Sequence, residues 1–379
     1  MHVLVLPSWY FAPDSKEISG RMFHQFAESL RSIGIDARIF FAELNLGGPI
    51  KRQIQFSNEG NVPTWRVSKW YPPKVHQSLI KGWANAYIKN VNEYIEQNVK
   101  PDVIHAQGYL SAIAASAIKK KIAIPYIYTE RSSQFVRGNI SAKYSPFISD
   151  AFDNANGITC VSPGYKEHFK KYTNKAITVI PNYYNPGVFY FDPEIRKDDI
   201  FTWVSVGEPA RIKGLDVLIE AFGKLSALLP GKRMELILVD NIHEKNELVR
   251  IAKTLNVDTH LQWKGLVSQP ELAGILRKSH VLISSSRVET FGKAILEAQA
   301  CGMPVLATKT DGANYILEQP SQGLLCDINS VDSLVEAMKK IIISYDKYEP
   351  HKIVESVASR FSERVVMSQW HEFYHNILS

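Results

Sequence analysis

The sequence predicts an α/β protein built from two Rossmann-like, doubly wound parallel-sheet domains. Its 379 residues exceed what a single hydrophobic core usually serves. Short apolar runs alternate with amphipathic helical patterns in both halves of the chain, which is typical of strands joined by crossover helices. A charged stretch at 192–199, which carries Pro193 and has no periodic apolar pattern, separates the halves. We therefore predict a first domain at 1–190 and a second domain at 191–360.

The first half opens as doubly wound folds do. Residues 2–6 are predicted as a buried strand, and Gly20 begins a helix that runs to about residue 33 with apolar residues at helical spacing. Further strands are predicted at 36–41, 65–68, 101–106, 124–129, 156–162 and 176–182, and helices at 78–98 and 111–121. The dinucleotide-binding pattern G-x-G-x-x-G is missing, because residues 6–10 occupy its place. Its absence argues against a nicotinamide-dependent dehydrogenase.

The second half repeats the alternation and contains the most informative stretch of the chain. Strands are predicted at 201–206, 235–239, 260–263, 281–283 and 305–308, and helices at 215–228 and 330–345. Between the last two strands, Thr290 is the predicted N-cap of a helix, Gly302 its left-handed C-terminal residue, and Pro304 prevents its continuation. This helix therefore begins at the carboxyl edge of the second sheet.

The start of this helix predicts an anion-binding site. Backbone N–H groups near Phe291, Gly292 and Lys293 lack partners within the helix, and the positive end of the helix dipole lies behind them. Gly292 lets a phosphate approach the backbone closely, and Lys293 adds a positive charge. Glu289 and Glu297 lie on either side of this position. The pattern therefore indicates a site for a phosphate group whose flanking hydroxyls are bound by carboxylates.

Composition and charge exclude several classes of protein. Hydrophobic residues make up 45% of the chain and charged residues 22%, as in ordinary globular proteins. The formal charge of +6 comes without a dense basic run or a known nucleic-acid motif, so we expect no nucleic-acid partner. No apolar run approaches the ~20 residues that cross a bilayer, and the chain begins with a strand instead of a signal peptide, so we expect a cytoplasmic location. Three scattered cysteines, Cys160, Cys301 and Cys326, suit core packing and lack the spacing of zinc sites or disulfides.

The stretch E-T-F-G-K-A-I-L-E-A-x-A-C-G-x-P-V resembles the E-x7-E signature of retaining glycosyltransferases of family 4, which have the two-domain GT-B fold. The resemblance implies that Glu297 binds the nucleotide ribose and that Glu289 binds the donor sugar. The diphosphate would be bound by the backbone between them, at Thr290, Phe291, Gly292 and Lys293. In the alternative, the stretch is an ordinary amphipathic helix with two surface acids. The Thr-Phe-Gly between the acids and the Ala-Cys-Gly-x-Pro after them favour the family.

A second segment resembles the family's V-G-R-x-x-x-x-K-G-x-D pattern, whose Arg and Lys bind the donor diphosphate. The matching residues are Gly207, Lys213, Gly214 and Asp216. Glu208 replaces the arginine, and because a carboxylate repels a diphosphate, we expect Glu208 to turn away and Arg211 to substitute in part. The resemblance makes Gly207 and Lys213 donor-binding residues, and Lys213 and Glu289 catalytic candidates. In the alternative, Lys213 is a solvated lysine at a helix start.

Three candidate residues of the first domain rest on the same resemblance. Gly20 follows a loop that closes over the donor phosphates in the family; in the alternative it only begins a helix. His105 ends a P-D-V-I-H-A strand and is either a catalytic candidate or a buried packing residue. Arg131 stands where the family often has a histidine. Since arginine stays protonated, Arg131 would bind charge on the acceptor or on a phosphate instead of acting as a base.

Two further parts of the chain are assigned by resemblance. The family contacts the nucleotide base where this chain has Gly265, Leu266 and Val267. Its C-terminal helix returns to the first domain, so residues 361–379 are expected to pack on that domain.

The resemblance implies a glycosyltransferase of the EC 2.4 class. The enzyme would move a sugar from a UDP-, GDP- or ADP-sugar to a glycan or lipid-linked acceptor, with retained anomeric configuration, in the synthesis of cell-surface polysaccharide such as capsule or lipopolysaccharide. The sequence has no D-x-D motif or metal-ligand cluster, so we expect metal-independent catalysis without a cofactor. One alternative is a catalytically lapsed sugar-nucleotide-binding protein of the same fold. Other GT-B enzymes, such as epimerases or phosphorylases, are disfavoured by the E-x7-E spacing and the short chain.

A mixture of basic and aromatic residues between positions 69 and 89 suits the interface of an anionic membrane. Its members are Trp70, Tyr71, Lys74, His76, Lys81, Trp83, Tyr87 and Lys89. Peripheral contact with the inner face of a membrane is therefore a hypothesis. In the alternative this is a solvated helical face.

Overall fold

The computed structural model describes residues 1–11, 20–46, 53–71, 76–197, 199–207, 209–241 and 245–379. These residues fall into two compact units. The first contains residues 1–161, 166–180 and 367–379, and the second contains residues 162–165 and 181–366. The chain therefore enters the main body of the second unit after Ile180, ahead of the linker predicted at 192–199.

The chain up to residue 180 alternates strands and helices. The strands are β1 (His2–Pro7), β2 (Asp36–Leu46), β3 (Gln53–Glu59), β4 (Val62–Tyr71), β5 (Val103–Gln107), β6 (Tyr126–Glu130), β7 (Gly157–Cys160) and β8 (Thr178–Val179). The α-helices are α1 (Arg21–Ser32), α2 (His76–Gln97), α3 (Tyr109–Ile122), α4 (Ser145–Asn154) and the short α5 (Pro163–Lys166).

Over the described residues, these strands form one eight-stranded sheet in the order β3-β4-β2-β1-β5-β6-β7-β8. Neighbouring strands are parallel except in the hairpin β3-β4. Strands β1 and β5 are buried along their whole length, as apolar central strands of a parallel sheet should be. The strand order reverses between β1 and β5, the topological switch point at which α/β sheets bind ligands.

The sequence prediction omits β3 and shortens β4. Strand β3 lies at the edge of the sheet and pairs with β4 on one side only. Its Phe56 is 60% exposed. Gly60, with φ at 60°, forms the turn into β4. An edge strand of this kind lacks the continuous apolar run by which the central strands are recognised.

The second unit repeats the architecture. Its strands are β9 (Phe201–Val206), β10 (Met234–Val239), β11 (Leu261–Gly265), β12 (Val281–Ser284), β13 (Val305–Thr308) and β14 (Gly323–Cys326). Its α-helices are α6 (Ala210–Lys213), α7 (Leu215–Leu228), α8 (Lys245–Thr254), α9 (Gln269–Lys278), α10 (Lys293–Ala300), α11 (Asp311–Ile316), α12 (Val331–Ser344) and α13 (Pro350–Phe361). The described strands are all parallel, in the order β11-β10-β9-β12-β13-β14. The prediction of two doubly wound α/β domains is confirmed.

Apolar periodicity builds the core of the second unit. Helix α7 has the predicted bounds, and its Leu218, Ile219 and Phe222 are fully buried against the sheet. Trp203 on β9 is also fully buried in this core. Each large apolar side chain removed from water in this way contributes about 1.5–3 kcal/mol. The core therefore holds the carboxyl ends of β9 and β12 in fixed positions.

The last helix belongs largely to the first unit. Helix α14 (Glu363–Leu378) follows α13, and its residues from Met367 onward belong to that unit. Trp370 and Tyr374 are fully buried there. A Cβ atom at Gly157 would lie 2.7 Å from the ring of Phe373, so the start of β7 has room for glycine alone.

The structure bears on the membrane hypothesis at two of its residues. Tyr87 is fully buried, and its hydroxyl accepts a hydrogen bond from the Ala42 N–H, so Tyr87 is not part of a membrane-facing surface. Lys89 is exposed. The side chains of the other members lie outside the described residues; these are Trp70, Tyr71, Lys74, His76, Lys81 and Trp83. Within the described ranges, every helix is too short or too polar to cross a bilayer.

Candidate active site

The predicted donor residues of the second unit follow its two central strands. Strands β9 and β12 are neighbours, with Val281 opposite Trp203 and Leu282 opposite Val204. The order of the sheet reverses between these two strands, so their carboxyl ends form a topological switch point. Strand β9 leads to Gly207 and to helix α6, and β12 leads to Glu289 and to helix α10. Both halves of the candidate site therefore start from adjacent, rigid strand ends.

Lys213 and Glu289 form an ion pair at this edge. Lys213 Nζ donates a hydrogen bond to Glu289 Oε2 at 2.7 Å, and the two side chains are only 22% and 17% exposed. Gly207 makes room for the lysine, because a Cβ atom there would lie 2.8 Å from Lys213 Cε. Gly207 also has φ at 111°, a conformation that residues with a side chain rarely adopt. This geometry disfavours the alternative in which Lys213 is merely a solvated lysine.

Helix α10 starts later than predicted. It begins at Lys293, and its N-cap is Gly292 with φ at 96° and no side-chain cap. The prediction of Thr290 as N-cap is wrong, because the left-handed Gly292 turns the chain after that residue, and the Thr290 carbonyl accepts a hydrogen bond from Ser162 Oγ at 2.7 Å. Gly302 has φ at 73° just after the helix, as predicted.

The N-terminus of α10 presents free backbone donors. Within the described part of the chain, the N–H groups of Gly292, Lys293 and Ala294 have no acceptor, and the first hydrogen bond of the helix runs from Leu296 N to Gly292 O. The positive end of the helix dipole lies at the same place. The site is close to the ion pair, since a Cβ atom at Gly292 would be 3.4 Å from Glu289 Cγ. An anion bound here would accept hydrogen bonds from these N–H groups and would lie close to the Lys213–Glu289 pair.

Phe291 and Glu297 differ in what they offer to a ligand. The Phe291 ring is buried and packs edge-on against Phe361, so the ring anchors the helix start while its backbone remains the candidate contact. Glu297 is buried one turn into α10, and burial raises the pKa of its carboxyl despite the opposing charge of Lys293. Lys293 Nζ lies 3.7 Å from Glu297 Oε1. The rest of this carboxyl can accept hydrogen bonds from ribose hydroxyls.

The backbone before α10 is fixed by contacts that sequence reasoning missed. Gly312 N donates a hydrogen bond to Glu289 O at 3.0 Å, and a Cβ atom at Gly312 would lie 2.1 Å from Phe291 O. Ser162 binds Thr290 O although the two residues are 128 positions apart in sequence. No local pattern marks Ser162, because its role depends on a partner from another part of the chain.

His105 lies in the first unit, in the core. It is fully buried, and its two ring nitrogens are hydrogen-bonded to Tyr374 Oη at 2.5 Å and to Thr129 Oγ1 at 2.6 Å. Burial, followed by the charge of Arg131, lowers the pKa of His105 well below 6.5. Phe26 and Trp370 pack against the ring. These contacts favour the packing alternative over a catalytic role for His105.

Arg131 follows β6 at the carboxyl edge of the first sheet. Its Nε donates to Gln107 Oε1 at 3.1 Å, and its guanidinium lies 5.5 Å from the centre of the Phe26 ring. The buried carboxylate of Glu130 accepts hydrogen bonds from the backbone N–H groups of Arg131 and Ser132. Burial raises the pKa of Glu130 against these bonds. Arg131 is thus held in position as a cation, in keeping with a charge-binding role.

The contacts of the remaining candidate residues say less about their roles. Gly20 is the N-cap of α1 with φ at 85°, as the helix-start alternative requires. Gly265 ends β11 with φ at 65°, followed by the 40%-exposed Leu266 and by Val267. The Arg211 side chain is exposed and has no partner in the described ranges. Glu208 lies outside the described residues.

No group of three or more His, Cys, Asp or Glu side chains in the described ranges is arranged to hold a metal ion. The expectation of metal-independent catalysis stays a prediction.

Two protein families match the chain. Residues 19–187 match the family described as Glycosyltransferase Family 4, and residues 190–356 match the family described as Glycosyl transferases group 1. Together these matches span most of the sequence, so the chain belongs to the glycosyltransferases, enzymes of the transferase class. Within that class it combines a family 4 domain with a group 1 domain.

Curated relatives are similar over part of their length. An uncharacterised glycosyltransferase, MJ1178 of Methanocaldococcus jannaschii, is 28% identical over 68% of this chain and 70% of its own. One component of the human phosphatidylinositol N-acetylglucosaminyltransferase is 26% identical over 66% of this chain and 51% of its own, so the chain spans about half of that protein. The lipopolysaccharide core biosynthesis glycosyltransferase LpsE of Rhizobium meliloti is 28% identical over 50% of this chain and 55% of its own.

Solved structures are similar along the whole chain. Sucrose-phosphate synthase from Thermosynechococcus elongatus has a TM-score of 0.80 at 18% identity and covers 100% of this chain and 99% of its own. Anabaena HepE, solved in complex with UDP and glucose, has a TM-score of 0.76 at 16% identity and covers 99% of this chain and 100% of its own. At such identities the likeness concerns the fold, and it confirms the predicted GT-B class.

Proposed function

We propose that the protein is a retaining glycosyltransferase that moves a sugar from a nucleotide-sugar donor to a glycan or lipid-linked acceptor in the synthesis of cell-surface polysaccharide. The observation that carries this proposal is the Lys213–Glu289 pair beside the N–H groups of Gly292 and Lys293, which have no acceptor among the described residues. These groups provide a cation, backbone donors and a carboxylate at the carboxyl edge of one sheet. This combination suits a sugar diphosphate, because a cation and backbone N–H groups bind phosphate oxygens and a carboxylate accepts hydrogen bonds from sugar hydroxyls.

The chemistry of the proposed reaction follows from where charge develops. When the bond between the sugar and the diphosphate breaks, negative charge grows on the leaving oxygen. Lys213, the amides at the start of α10 and the helix dipole are preorganised to stabilise that charge, and such groups accelerate a reaction when they bind the transition state more strongly than the substrate. In this proposal no metal ion takes part. Glu289 accepts hydrogen bonds from the donor sugar, and Glu297 from the ribose.

The binding of a donor changes the partner of Lys213. Without a diphosphate its charge is neutralised by Glu289 at 2.7 Å. When a diphosphate arrives, the ammonium has a second anion to bind, and the carboxylate becomes available to sugar hydroxyls. The ion pair therefore orders both side chains before the donor binds. This order lowers the entropy cost of donor binding.

The relatives are glycosyltransferases with chemically different acceptors, and they do not single out a polysaccharide or a lipid. The Rhizobium meliloti relative acts in lipopolysaccharide core biosynthesis, and the human relative is part of a phosphatidylinositol N-acetylglucosaminyltransferase. Other relatives are D-inositol 3-phosphate glycosyltransferases and an N-acetylglucosaminyl malate synthase. The structurally similar HepE was solved with UDP and glucose. We choose the polysaccharide role, and a UDP-, GDP- or ADP-sugar as donor, on the resemblance of the E-x7-E stretch.

A screen of nucleotide sugars tests the proposal. Thermal unfolding is measured with UDP-, GDP- and ADP-sugars, and each donor that raises the melting temperature is then assayed for release of free nucleoside diphosphate in the presence of candidate acceptors. We expect one nucleotide to stabilise the protein and to be released during transfer. Stabilisation without any release would instead support the alternative, a lapsed sugar-nucleotide-binding protein, and the absence of both effects would contradict the donor site itself.

A further inference from the structure

Helix α6 carries Lys213 but is too short to be stable alone. It has four residues, Ala210–Lys213, whereas isolated helices in water are marginal below about 12 residues. A helix end also leaves backbone carbonyl groups without intrahelical partners. The position of Lys213 must therefore be set by whatever binds those carbonyls.

Arg287 and Ser285 bind the carbonyl groups of the α6 segment in turn. Arg287 Nη1 donates to Arg211 O at 2.5 Å, and Arg287 N donates to Ile212 O at 2.8 Å. Ser285 Oγ lies 2.8 Å from Lys213 O and 3.0 Å from Gly214 O, and its one O–H is shared between these two acceptors. The end of α6 thus meets a guanidinium cation, which is the favourable charge for a helix C-terminus.

The guanidinium of Arg287 also binds two other parts of the second unit. It forms a two-point ion pair with Asp216 on α7, with Nη1–Oδ1 at 2.8 Å and Nη2–Oδ2 at 2.7 Å. Its Nε donates to Asn329 Oδ1 at 2.6 Å. Burial raises the pKa of the Asp216 carboxyl, but its hydrogen bonds with Arg287 outweigh this effect and leave the pKa lowered. One side chain therefore joins the segments that follow β9, β12 and β14.

We propose that Arg287 is a positioning residue for the donor site, which holds the α6 turn so that Lys213 Nζ stays within hydrogen-bond distance of Glu289. Arg287 lies two residues before Glu289 on the same strand extension, so one short stretch sets both ends of the ion pair. This inference rests on the proposed function. Four of the five N–H donors of the Arg287 guanidinium bind groups of the second unit, so we assign its effect to the position of Lys213.

A lysine at this position cannot replace the arginine. The planar guanidinium of arginine binds a carboxylate through two nitrogens while its third nitrogen binds another acceptor. The ammonium of lysine is a single point charge and cannot do both. Arg287→Lys keeps the charge but loses the geometry, so the α6 turn becomes loosely held. Displacement of a charge-stabilising group by about 1 Å costs about 100-fold in rate.

The chain supplies a matched control in Arg38. Arg38 pairs with Asp36 through Nε and Nη2, and this pair has nearly the same exposure, 21% and 41%, as Arg287 and Asp216, 26% and 39%. Arg38→Lys therefore removes a comparable ion pair in the first unit, without a contact to α6. Asp216→Asn serves as a second, milder variant in case Arg287→Lys unfolds.

The test combines hydrogen exchange with kinetics on the full-length protein. We expect Arg287→Lys and Asp216→Asn to speed deuterium uptake in peptides covering 209–218, to reduce kcat by about 100-fold in the case of Arg287→Lys, and to change KM less than kcat. Arg38→Lys should leave uptake at 209–218 and kcat unchanged. The affinity for UDP, GDP and ADP is measured in parallel.

The two proposals fail separately. If uptake at 209–218 in Arg287→Lys equals that of Arg38→Lys, Arg287 does not position the turn, whatever the activity of the wild type. If uptake rises as expected but the wild type binds no nucleoside diphosphate and transfers no sugar, the positioning contact stands and the proposed function is wrong. If uptake rises and kcat stays at the wild-type value, Arg287 holds the turn without serving the donor site, and the inference is overturned.

Discussion

Lys213 and Glu289 approach to 2.7 Å at the carboxyl ends of two adjacent strands, although 76 positions separate them in the sequence. The pairing of strands β9 and β12 brings the two residues together, because Lys213 lies in the segment after β9 and Glu289 in the segment after β12. An ammonium and a carboxylate that are both mostly buried satisfy each other's hydrogen bonds, whereas either one alone would carry a desolvation cost. The pair therefore gives the candidate site a defined shape before any ligand arrives.

Removal of the Lys213 ammonium should abolish most of the activity. Loss of one group that stabilises the transition-state charge typically lowers kcat by about 100- to 1,000-fold. We expect Lys213→Ala to show that loss in assays of nucleoside diphosphate release. Lys224→Ala is the control, because Lys224 forms an exposed ion pair with Asp332 elsewhere in the same unit. A Lys213→Ala protein with wild-type turnover would remove Lys213 from the mechanism.

The buried carboxyl of Glu297 should lower the stability of the protein at neutral pH while it contributes to donor binding. Because burial raises the pKa of its carboxyl, this group favours the folded state most at pH values below 4.5 and loses that contribution as the pH rises through the raised value. Glu297→Gln should therefore become more stable relative to wild type as the pH increases from 4 to 8. The same variant should bind the donor about 10- to 100-fold more weakly, the worth of one hydrogen bond to a charged group.

Melting temperatures across this pH range, combined with donor titrations, measure both effects on Glu297. The exposed Glu271, which caps α9, offers Glu271→Gln as a control for charge removal that should leave donor affinity unchanged. A stability difference between wild type and Glu297→Gln that is the same at every pH would show that burial does not raise the pKa of this carboxyl.

His105 provides a prediction that separates packing from catalysis. Its lowered pKa means that the unfolded chain binds a proton more readily, so stability is present above pH 6.5 and is lost as the pH falls through the folded-state value. His105→Gln should remove that pH dependence, which for one group amounts to at most about 1.4 kcal/mol per pH unit. At pH 7.5 the variant should be destabilised by about 1–3 kcal/mol, because buried partners lose their hydrogen bonds.

Chemical denaturation at several pH values measures the stability of His105→Gln, and turnover is expressed per folded molecule. We expect that turnover to stay at the wild-type level, since both ring nitrogens of His105 serve the core. A collapse of turnover in a protein that remains folded would instead restore the catalytic assignment made from the family resemblance.

The sequence predicts the elements that have their own apolar pattern, and it predicts features that depend on tertiary structure less well. Strand β9, helix α7 and strand β13 have the predicted bounds, because each carries its own apolar period. The sequence resemblance assigns both Lys213 and Glu289 to the donor site, but it does not predict the ion pair between them. The N-cap at Thr290 was mispredicted because threonine is a common cap, while the left-handed glycine two residues later determines where α10 begins.

Residues that act through distant partners left no signal in the sequence. Arg287 binds Asp216, 71 positions away, and Ser162 binds Thr290 across 128 positions. Arginine and serine are also common on ordinary surfaces, so their residue type alone predicts nothing. Such positioning contacts emerge only when the sheet brings separate segments together.

Gly207 gives a test of the site in which no charged residue is replaced. An alanine there would bring a Cβ atom to 2.8 Å from Lys213 Cε, and φ at 111° would strain the backbone by about 1–3 kcal/mol. The flexible lysine would move before the backbone does, so its ammonium would leave Glu289. We expect Gly207→Ala to lower turnover by about 100-fold, whereas Gly231→Ala, at a glycine with open space around it, should have no effect.

A double variant tests whether Gly207 acts through Lys213. Because Gly207→Ala and Lys213→Ala both act through the Lys213 ammonium, the double variant Gly207→Ala/Lys213→Ala should be no slower than Lys213→Ala alone. Additive losses in the double variant would mean that Gly207 serves the donor through its own backbone instead of through Lys213.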